Sequence, residues 1–555
     1  MGVIFGEGPM QSTMQSFPLT IAAIFRHGRA AYGDSEIVTL TETGVDRARF
    51  ADVANRVTLL ASALSRLGVR PGDRVATFMW NSQQHLEAYL AVPSMGAVLH
   101  TLNLRLAPAE VAYIISHAAD KVILVDADLV PVLAKALPLL THKPERFIVV
   151  GKSDARALGD GVLDYDALLG DAPRSFDWPE LDENSAAAMC YTSGTTGQPK
   201  GVVYSHRSTW LHTMAQCMGA TLGICERDTI LPIVPMFHAN AWGLPYAAWM
   251  SGADLLLPSR FANPTGVCRL MAASSPTVMA GVPTVFRDML AHADSNPVDL
   301  STVRGILCGG SAVPEALIAR FEERFGVPIY QGWGMTETSP LAALSTPPKR
   351  GDGRTGVQYR AMTGRVLPGV EMRIIDDGGR EQPWDGKSEG EIEIRGPWVT
   401  GSYYGEPTPE KFRDGWLRTG DVGCMDGSGF IRITDRAKDV IKSGGEWISS
   451  VALENSIMAH PAVAEAAVIG VPDDKWGERP LACVVRKPGQ SIAIDALCAH
   501  LDDKVARWWL PERWAFVDEV PKTSVGKFDK KVLRARYAKG ELAVETIAAT
   551  RARPR

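Results

Sequence analysis

An alternation of amphipathic helices with short apolar strands is the feature that most constrains the fold of this chain. Helical spacing and strand patterns follow one another from about residue 47 to 180, and strand patterns recur after residue 210. The helical patterns lie at 50–67 and 83–95, and the strand patterns at 74–79, 122–125, 254–258, 278–281 and 305–307. This order is typical of βαβ units around a mostly parallel sheet. It predicts two doubly wound α/β subdomains.

The pattern changes twice in the second half of the chain. Short alternating segments at 371–375, 390–395 and 429–434 predict a small β-subdomain. After residue 435, helix patterns at 451–460 and 491–504 enclose strand patterns at 463–471 and 479–485. We therefore predict an α/β protein with a large N-terminal domain, 1–436, and a small α+β C-terminal domain, 437–555, on a hinge. The terminal residues lack apolar periodicity and predict a loose tail.

Composition excludes several functional classes. The 58 basic and 63 acidic residues leave a net charge of −5, which does not favour binding to nucleic acid. The eight cysteines form no C-x-x-C pair and no zinc spacing, so they predict buried thiols in a reducing, cytoplasmic compartment. No secretion signal begins the sequence.

One stretch has the apolar character of a membrane span. Residues 229–253 contain no Asp, Glu, Lys or Arg. However, Pro232, Pro235 and Pro245 would each break a helix, and His238 and Asn240 would be polar groups in lipid. This segment predicts a buried loop and helix near a site, with no transmembrane span; peripheral contact with a membrane remains open.

The segment YTSGTTGQPKGV, residues 191–202, has the composition of a phosphate-binding loop. Glycines let the main chain approach an anion, hydroxyls and amides donate hydrogen bonds to it, and Lys200 neutralises it. A flexible linker is the alternative, but linkers rarely follow a buried strand and end in P-K-G. The spacing also differs from a Walker loop, because only two residues separate Gly194 from Gly197, where that pattern needs four, and Gly201 rather than Ser or Thr follows the lysine.

This segment resembles, nearly letter for letter, the signature loop of the adenylate-forming superfamily of acyl-CoA synthetases, luciferases and adenylation domains. The resemblance implies that the loop binds the phosphates of ATP and that its first threonine also approaches Mg²⁺. The residues it assigns to ATP are Thr192, Ser193, Gly194, Thr195, Thr196, Gly197 and Lys200.

A second segment, YQGWGMTE at 330–337, fits the same superfamily. By resemblance, Tyr330 and the backbone of Gly332, Trp333 and Gly334 would pack on the adenine. Thr336 would contact the α-phosphate, and Glu337 would hold Mg²⁺, which prefers carboxylate oxygen ligands. As a dinucleotide fingerprint the segment fails, because Glu337 stands where a glycine is needed.

Two later segments imply the ribose site and the hinge. In WLRTGDVG, Asp421 matches the aspartate that accepts both ribose hydroxyls. In the segment beginning at Asp435, Arg436 matches the arginine that reaches the ribose and phosphates. Lys438 occupies the hinge position about which the C-terminal domain turns.

The C-terminal residues complete the catalytic set that the resemblance implies. Lys527, in PKTSVGKFDKK, aligns with the lysine that neutralises the like charges of the carboxylate and the α-phosphate during adenylation. The SGGEW segment resembles the CoA-ligase form of its loop. It places Lys442, Gly444, Gly445, Glu446 and Trp447 near nucleotide or pantetheine after the domain turns.

The acid site is implied by VPMFHANAWGLPYAA, residues 234–248. In long-chain enzymes of the superfamily, the matching histidine and tryptophan wall and gate the acyl tunnel; His238 and Trp242 match them, and Gly310 borders both adenine and acyl chain. Ordinary core packing is the alternative for each aromatic residue taken alone. An aspartate is absent at position 238, which counts against an amino-acid substrate.

The resemblance implies an ATP- and Mg²⁺-dependent acyl-CoA synthetase (a fatty acid–CoA ligase, AMP-forming) for a medium- to long-chain aliphatic acid. A short acid such as 3-(methylthio)propionate, an aryl acid, or an acceptor other than CoA are the alternatives. A serine hydrolase is disfavoured because G-G-S-A-V at 309–313 lacks the final glycine of G-x-S-x-G. A luciferase-like oxygenase and a non-catalytic nucleotide-binding module remain open. The expected partners are small molecules, and a homodimer is expected only by analogy.

Overall fold

The computed structural model describes residues 12–192, 198–436, 439–443, 446–502, 504–522 and 528–547. Its first part alternates strands and helices. The elements are α1 (Ile21–Ala31), β1 (Glu36–Leu40), β2 (Val45–Arg49), α2 (Phe50–Arg66), β3 (Arg74–Phe78), α3 (Gln83–Ser94), β4 (Val98–Thr101), α4 (Pro108–Ala118), β5 (Val122–Asp126), α5 (Val130–Ala134), β6 (Arg146–Val150), β7 (Leu163–Asp164), α6 (Tyr165–Gly170), β8 (Ala186–Tyr191), β9 (Gly201–Ser205) and α7 (His206–Cys217).

Seven of these strands form the first sheet, in the order β7-β6-β5-β3-β4-β8-β9. All neighbours are parallel except β8 and β9, which are antiparallel. The fully buried strand Val122–Asp126 is apolar in four of its five residues because helices cover both faces of a parallel sheet. The phosphate-loop segment predicted from the sequence, residues 191–202, runs from the last residue of β8 to the second residue of β9.

The second part builds another sheet of the same kind. Its elements are β10 (Thr229–Pro232), α8 (Leu244–Ser251), β11 (Asp254–Leu257), α9 (Pro264–Ala273), β12 (Val278–Gly281), α10 (Pro283–Ala293), β13 (Gly305–Gly309), α11 (Glu315–Phe325), β14 (Ile329–Gly334), β15 (Leu341–Leu344), α12 (Gly356–Ala361) and β16 (Arg365–Val366). The sheet has nine strands in the order β16-β15-β14-β13-β12-β10-β11-β1-β2. The early hairpin β1–β2 therefore belongs to the second sheet, where β1 pairs in parallel with β11.

A small antiparallel sheet follows. It contains β17 (Glu371–Ile375), β18 (Gly390–Arg395), β19 (Phe412–Arg413), β20 (Trp416–Met425) and β21 (Ile431–Arg436). The strand order is β17-β18-β20-β19, with β21 paired to β20. The pairing of β20 with β21 sets Asp421 opposite Arg436.

The chain then enters a separate six-stranded sheet with three helices. These elements are β22 (Ile441–Ser443), β23 (Glu446–Ile448), α13 (Ser450–Met458), β24 (Val463–Asp473), β25 (Gly477–Arg486), α14 (Ile494–Leu501), β26 (Arg513–Phe516), α15 (Lys530–Ala538) and β27 (Val544–Thr546). The strand order is β23-β22-β25-β26-β27, with β24 paired to β25. Two apolar clusters of its own, one containing Trp514 and one containing Leu533, form its core.

The predicted fold class is confirmed: two doubly wound α/β layers, a small β-sheet and a smaller α+β unit. The segment 229–253 is largely buried and contains α8, as expected. Within the described ranges, no helix has both the length and the apolar character needed to cross a bilayer. The prediction of buried thiols is wrong for Cys225, which is exposed, and only partly right for Cys217 and Cys268. The predicted terminal tail, from residue 548 on, lies outside the described residues.

Candidate active site

A crevice of about 1790 Å³ lies where the second sheet, the small sheet and the C-terminal unit meet. It is lined by many of the residues that the sequence singled out. These are Thr192, Lys200, His238, Trp242, Gly310, Gly332, Trp333, Gly334, Thr336, Glu337 and Asp421. The crevice thus brings together segments that are more than two hundred residues apart.

The crevice opens at the carboxyl ends of the parallel strands β12, β13 and β14, the usual place for ligands in open α/β sheets. Glycines make this edge accessible. A Cβ atom on Gly309 would lie 2.6 Å from the carbonyl oxygen of Gly332, so only glycine allows these strands to approach so closely. Gly310 follows with a φ of +84°, which turns the chain away from the sheet edge.

Thr336 and Glu337 form a short helical turn directly after β14, and both are buried. The hydroxyl of Tyr403 donates a hydrogen bond of 2.7 Å to Glu337 Oε1. Burial and the neighbouring Glu337 carboxylate raise the pKa of Tyr403, so the phenol stays protonated and remains a donor. The hydroxyl of Tyr204 donates to the carbonyl oxygen of Thr336 at 2.7 Å. Two tyrosines therefore hold the turn that carries the carboxylate.

Lys200 lies over the ring of Tyr403. Its Nζ is 5.0 Å from the ring centroid of Tyr403 and 3.8 Å from Glu406 Oε2. Two hydrogen bonds join Thr192 to Lys200. Thr192 N donates to Lys200 O, and Lys200 N donates to the side-chain oxygen Oγ1 of Thr192. These bonds bring the two ends of the predicted phosphate loop together at the crevice.

Asp421 is buried, and its Oδ2 accepts a hydrogen bond of 2.9 Å from Trp333 Nε1. A second bond, from its own backbone N–H to Thr419 Oγ1, stabilises the strand at this point. Tyr330 lies elsewhere: it is absent from the crevice lining, and its ring packs near Gly305. The structure therefore brings Trp333 next to Asp421.

His238 and Trp242 enclose an unusual turn. Ala239, Asn240, Ala241 and Trp242 have φ values of 42°, 53°, 47° and 58°, and Gly243 follows at 75°. A left-handed conformation costs about 1–2 kcal/mol for each residue with a Cβ, so surrounding contacts must stabilise this turn. The tip of the Trp242 ring lies 3.6 Å from the position of a Cβ on Gly309, at the floor of the crevice.

The C-terminal unit supplies the opposite wall through Phe528, Asp529 and Lys530, which directly follow Lys527 in the sequence. Lys530 is buried and contacts Glu454 Oε1 at 2.7 Å. Glu465 of β24 pairs with Arg287 of α10 at 2.8 Å and with Lys522 at 2.7 Å. This group joins the second sheet layer to the C-terminal unit.

Several predicted residues cannot be placed. Outside the described residues lie Ser193, Gly194, Thr195, Thr196, Gly197, Lys438, Gly444, Gly445 and Lys527. The side chains of Arg436, Lys442, Glu446 and Trp447 are likewise not described. Their roles stay predictions.

No sequence motif predicted three residues of the site: Tyr403, Tyr204 and Glu406. Tyr403 and Glu406 lie in TGSYYGEP, whose turn composition gave no sign of proximity to Glu337 or Lys200. Tyr204 lies on β9, two residues after the phosphate-loop segment, so its closeness to that segment was the only available signal. Each of the three contacts a site residue that is distant from it in the sequence.

The residues present fit a magnesium ion bound together with a nucleotide. Mg²⁺ is usually held by one or two carboxylates together with phosphate oxygens and water. Glu337 offers a buried carboxylate beside the ends of the predicted phosphate loop. Within the described ranges, no three His, Cys, Asp or Glu side chains converge in a way that would hold a metal by protein ligands alone.

Comparison with known proteins agrees with this geometry. Residues 25–404 match the model of the AMP-binding enzyme family, and residues 452–527 match that of the AMP-binding enzyme C-terminal domain. The chain is 41% identical over 534 residues to a medium-chain-fatty-acid–CoA ligase of Ectopseudomonas oleovorans, covering 95% of this chain and 98% of the relative. It is 44% identical over 534 residues to a long-chain-fatty-acid–CoA ligase of Thermus thermophilus, covering 95% and 97%.

Two further similar proteins are named for acids of other kinds. A 3-methylmercaptopropionyl-CoA ligase of Ruegeria pomeroyi is 41% identical over 534 residues, covering 95% of this chain and 99% of the relative. The crystal structure of an anthranilate CoA ligase with anthranoyl-AMP superposes with a TM-score of 0.84 at 27% identity, covering 95% of this chain and all of that one. The relatives thus share a reaction type and differ in the acid named.

Proposed function

Because this chain belongs to the AMP-binding enzyme family, within the adenylate-forming superfamily, we propose that its crevice converts a medium- to long-chain aliphatic acid into its CoA thioester. The chain is an AMP-forming acid–CoA ligase that uses ATP and CoA as substrates. The observation that carries the proposal is the convergence of Thr192, Lys200, Glu337 and Asp421 with the apolar turn of Trp242 in one crevice.

In the first half-reaction, a carboxylate oxygen of the acid attacks the α-phosphorus of ATP. The bond from that phosphorus to the pyrophosphate oxygen breaks, and pyrophosphate leaves. Lys200 and Lys527 would offset the like charges that meet in this step, and Thr336 would donate to the α-phosphate. Asp421 and Arg436 would hold the ribose, and Gly310, Gly332, Trp333 and Gly334 would border the adenine.

Glu337 and Thr192, which line the same crevice, would hold Mg²⁺. Bound there, the ion would balance the charge of the triphosphate. The described residues support this role through the Tyr403 hydroxyl, which keeps one oxygen of Glu337 in a defined place. The second oxygen is thereby oriented by the same hydrogen bond.

In the second half-reaction, the CoA sulfur attacks the carbonyl carbon of the acyl-adenylate. The thiol proton is released, and the bond from carbonyl carbon to phosphate oxygen breaks, which frees AMP. We propose that the C-terminal domain, 437–555, turns about Lys438 between the two steps. Lys527 would withdraw, and the segment with Lys442, Gly444, Gly445, Glu446 and Trp447 would approach the site.

The acid would lie along the apolar wall made by His238, Trp242 and Gly310. An aliphatic tail offers no hydrogen bonds, so an apolar wall is the matching surface. One methylene contributes only about 0.8 kcal/mol, so neighbouring chain lengths are separated weakly. A short thioether acid such as 3-(methylthio)propionate is therefore the second candidate, favoured by the Ruegeria relative.

A panel of acids tests the proposal. The full chain would be incubated with ATP, Mg²⁺, CoA and acids from acetate to palmitate, with methylthiopropionate and benzoate included, and acyl-CoA would be measured by mass spectrometry. We expect thioester with a maximum among medium to long chains. Thioester from methylthiopropionate alone would support the second candidate, and pyrophosphate exchange without thioester would contradict CoA as acceptor.

Three further features stay predictions: the cytoplasmic location, the homodimer and peripheral contact with a membrane. ATP and CoA as substrates support the first of these. We also propose that the N-terminal domain ends at residue 436 and that the C-terminal domain begins at residue 437. This division is supported by the passage from one sheet to another between Arg436 and Ile441.

A further inference from the structure

The carbonyl oxygen of Trp242 is held by a side chain from a different element. Gln216, in the last turn of α7, donates a hydrogen bond of 2.8 Å from its Nε2 to Trp242 O. Gln216 is fully buried. An amide oxygen at the position of Nε2 would face another carbonyl oxygen, so this contact also determines the orientation of the amide.

Packing alone does not account for a glutamine at this position. The Oε1 atom of Gln216 has no hydrogen-bond partner among the described residues. A buried amide oxygen without a partner is unfavourable, whereas an apolar side chain of the same length would avoid this cost. The contribution of the amide therefore lies in its NH₂ group, which donates to Trp242 O at 2.8 Å and lies 3.4 Å from His212 Nδ1.

The contact acts on the strained part of the chain. Trp242 and the three residues before it have left-handed backbone, which side chains with a Cβ adopt only under external constraint. A Cβ on Gly243 would lie 2.8 Å from Gln216 Nε2 and 2.9 Å from His212 Nδ1, so α7 packs directly on the turn. At the opposite end, Asn240 Oδ1 accepts hydrogen bonds from Thr101 Oγ1 at 3.3 Å and Cys190 Sγ at 3.2 Å.

We propose that Gln216 is a positioning residue that determines acid preference by keeping the left-handed turn, and with it the Trp242 ring, on the wall of the crevice. This inference rests on the proposed function, because it takes Trp242 as part of the acyl site. Without the donor from Gln216, the turn can relax toward right-handed backbone. The indole ring would then leave its place beside Gly309, and the shape of the acyl site would change.

The test compares two substitutions at Gln216 in the full-length enzyme. Gln216→Met keeps the length and removes the donor; Gln216→Glu keeps the shape and sets an oxygen against Trp242 O. For both we expect the KM of the preferred acid to rise about tenfold and the chain-length profile to shift, while the KM of ATP stays unchanged. Thr213→Val is the matched control, because Thr213 is equally buried on α7 and, among the described residues, its hydroxyl bonds only to Thr209 O of the same helix.

The outcomes separate this inference from the proposed function. Folded Gln216 variants that keep the wild-type chain-length profile, or a melting temperature lowered in both without such a shift, would overturn the inference. Failure of both variants to fold would assign Gln216 to stability and would overturn it as well. Trp242→Ala is assayed in parallel: an unchanged profile there would contradict the acyl wall itself, whereas a shift there without one at Gln216 would contradict the inference alone.

Discussion

The indole Nε1 of Trp333 donates a hydrogen bond of 2.9 Å to Oδ2 of Asp421, a residue 88 positions later in the chain. Trp333 ends a strand of the second large sheet, and Asp421 lies in the small antiparallel sheet. The bond therefore fixes the distance between the two walls of the crevice. It also orients the carboxylate that we propose for the ribose.

Replacing Trp333 with phenylalanine tests this relationship. Trp333→Phe keeps an aromatic ring and removes the indole donor, so Asp421 loses the hydrogen bond from Trp333. Because a hydrogen bond to a charged group is worth about 1.5–3 kcal/mol, we expect the KM for ATP to rise about tenfold or more with little change in the KM for the acid. Trp249→Phe is the control, since its indole donates to Phe25 O in the core. An equal rise of the ATP KM in both variants would contradict the assignment.

Tyr403→Phe tests whether the Tyr403 hydroxyl orients the Glu337 carboxylate. The change removes the hydroxyl at 2.7 Å from Glu337 Oε1 and keeps the ring beside Lys200. We expect the Mg²⁺ concentration for half-maximal rate to rise about fivefold to tenfold, because the carboxylate is no longer oriented by a donor. Tyr359→Phe, which removes a similar bond to Asp352 away from the crevice, should leave it unchanged. A Mg²⁺ dependence like that of the wild type would contradict the proposal that Tyr403 orients Glu337 for Mg²⁺ binding.

Lys527→Ala tests the assignment of the adenylation lysine. We expect acid-dependent pyrophosphate exchange to fall by about a thousandfold, because Lys200 alone would then offset the like charges of the carboxylate and the α-phosphate. Thioester formation from supplied acyl-adenylate should stay within about twofold. Lys539→Ala is the control, because Lys539 is exposed and directly follows α15. Equal loss of both half-reactions would show that Lys527 has a general role instead.

Glu465→Gln tests the ion pairs that join α10 to the C-terminal unit. Although burial disfavours the charged form, hydrogen bonds from Lys522 and Arg287 lower the pKa of Glu465. The pairs are therefore fully present above the ordinary pKa of a glutamate and are lost as the pH falls through the lowered value. We expect Glu465→Gln to weaken the observed domain arrangement and to slow adenylation severalfold relative to thioester formation.

The control for this prediction is Glu519→Gln, because Glu519 is an exposed glutamate of the same unit. Each half-reaction would be measured separately for both variants. An unchanged ratio of the two rates in Glu465→Gln would mean that the ion pairs do not influence the domain arrangement.

Asp126→Asn tests a pH dependence of stability. Burial, with a smaller contribution from Asp128, raises the pKa of Asp126 to about 7, against an unfolded value of 3.8. Between about pH 4 and pH 7 the folded state holds a proton that the unfolded state releases, so this group makes stability fall as the pH rises. Asparagine keeps an oxygen for the Trp80 N–H, and the melting temperature of Asp126→Asn relative to wild type should increase from pH 5 to pH 8. A constant difference, as expected for the exposed control Asp160→Asn, would contradict the raised pKa.

Local sequence patterns were sufficient to predict most of the helices and strands. The strand predictions at 74–79, 278–281 and 390–395 match β3, β12 and β18, because burial on both faces or one face leaves a clear apolar pattern. The helix predicted at 491–504 is shorter, Ile494–Leu501, since element ends depend on contacts outside the element. The membership of β1 in the second sheet had no local signal, because its partner β11 is separated from it by two hundred residues of sequence.

The sequence by itself determined the fold class, the family and the positions of the chemical groups, since these depend on periodicity and on contiguous motifs such as the phosphate-loop segment. Tertiary structure alone decided which residues meet: Trp333 with Asp421, Tyr403 with Glu337, and Gln216 with Trp242. The physical reason is that a hydrogen bond depends on distances of about 3 Å and on direction. Residues far apart in sequence reach that precision only when complete sheets and helices pack against one another.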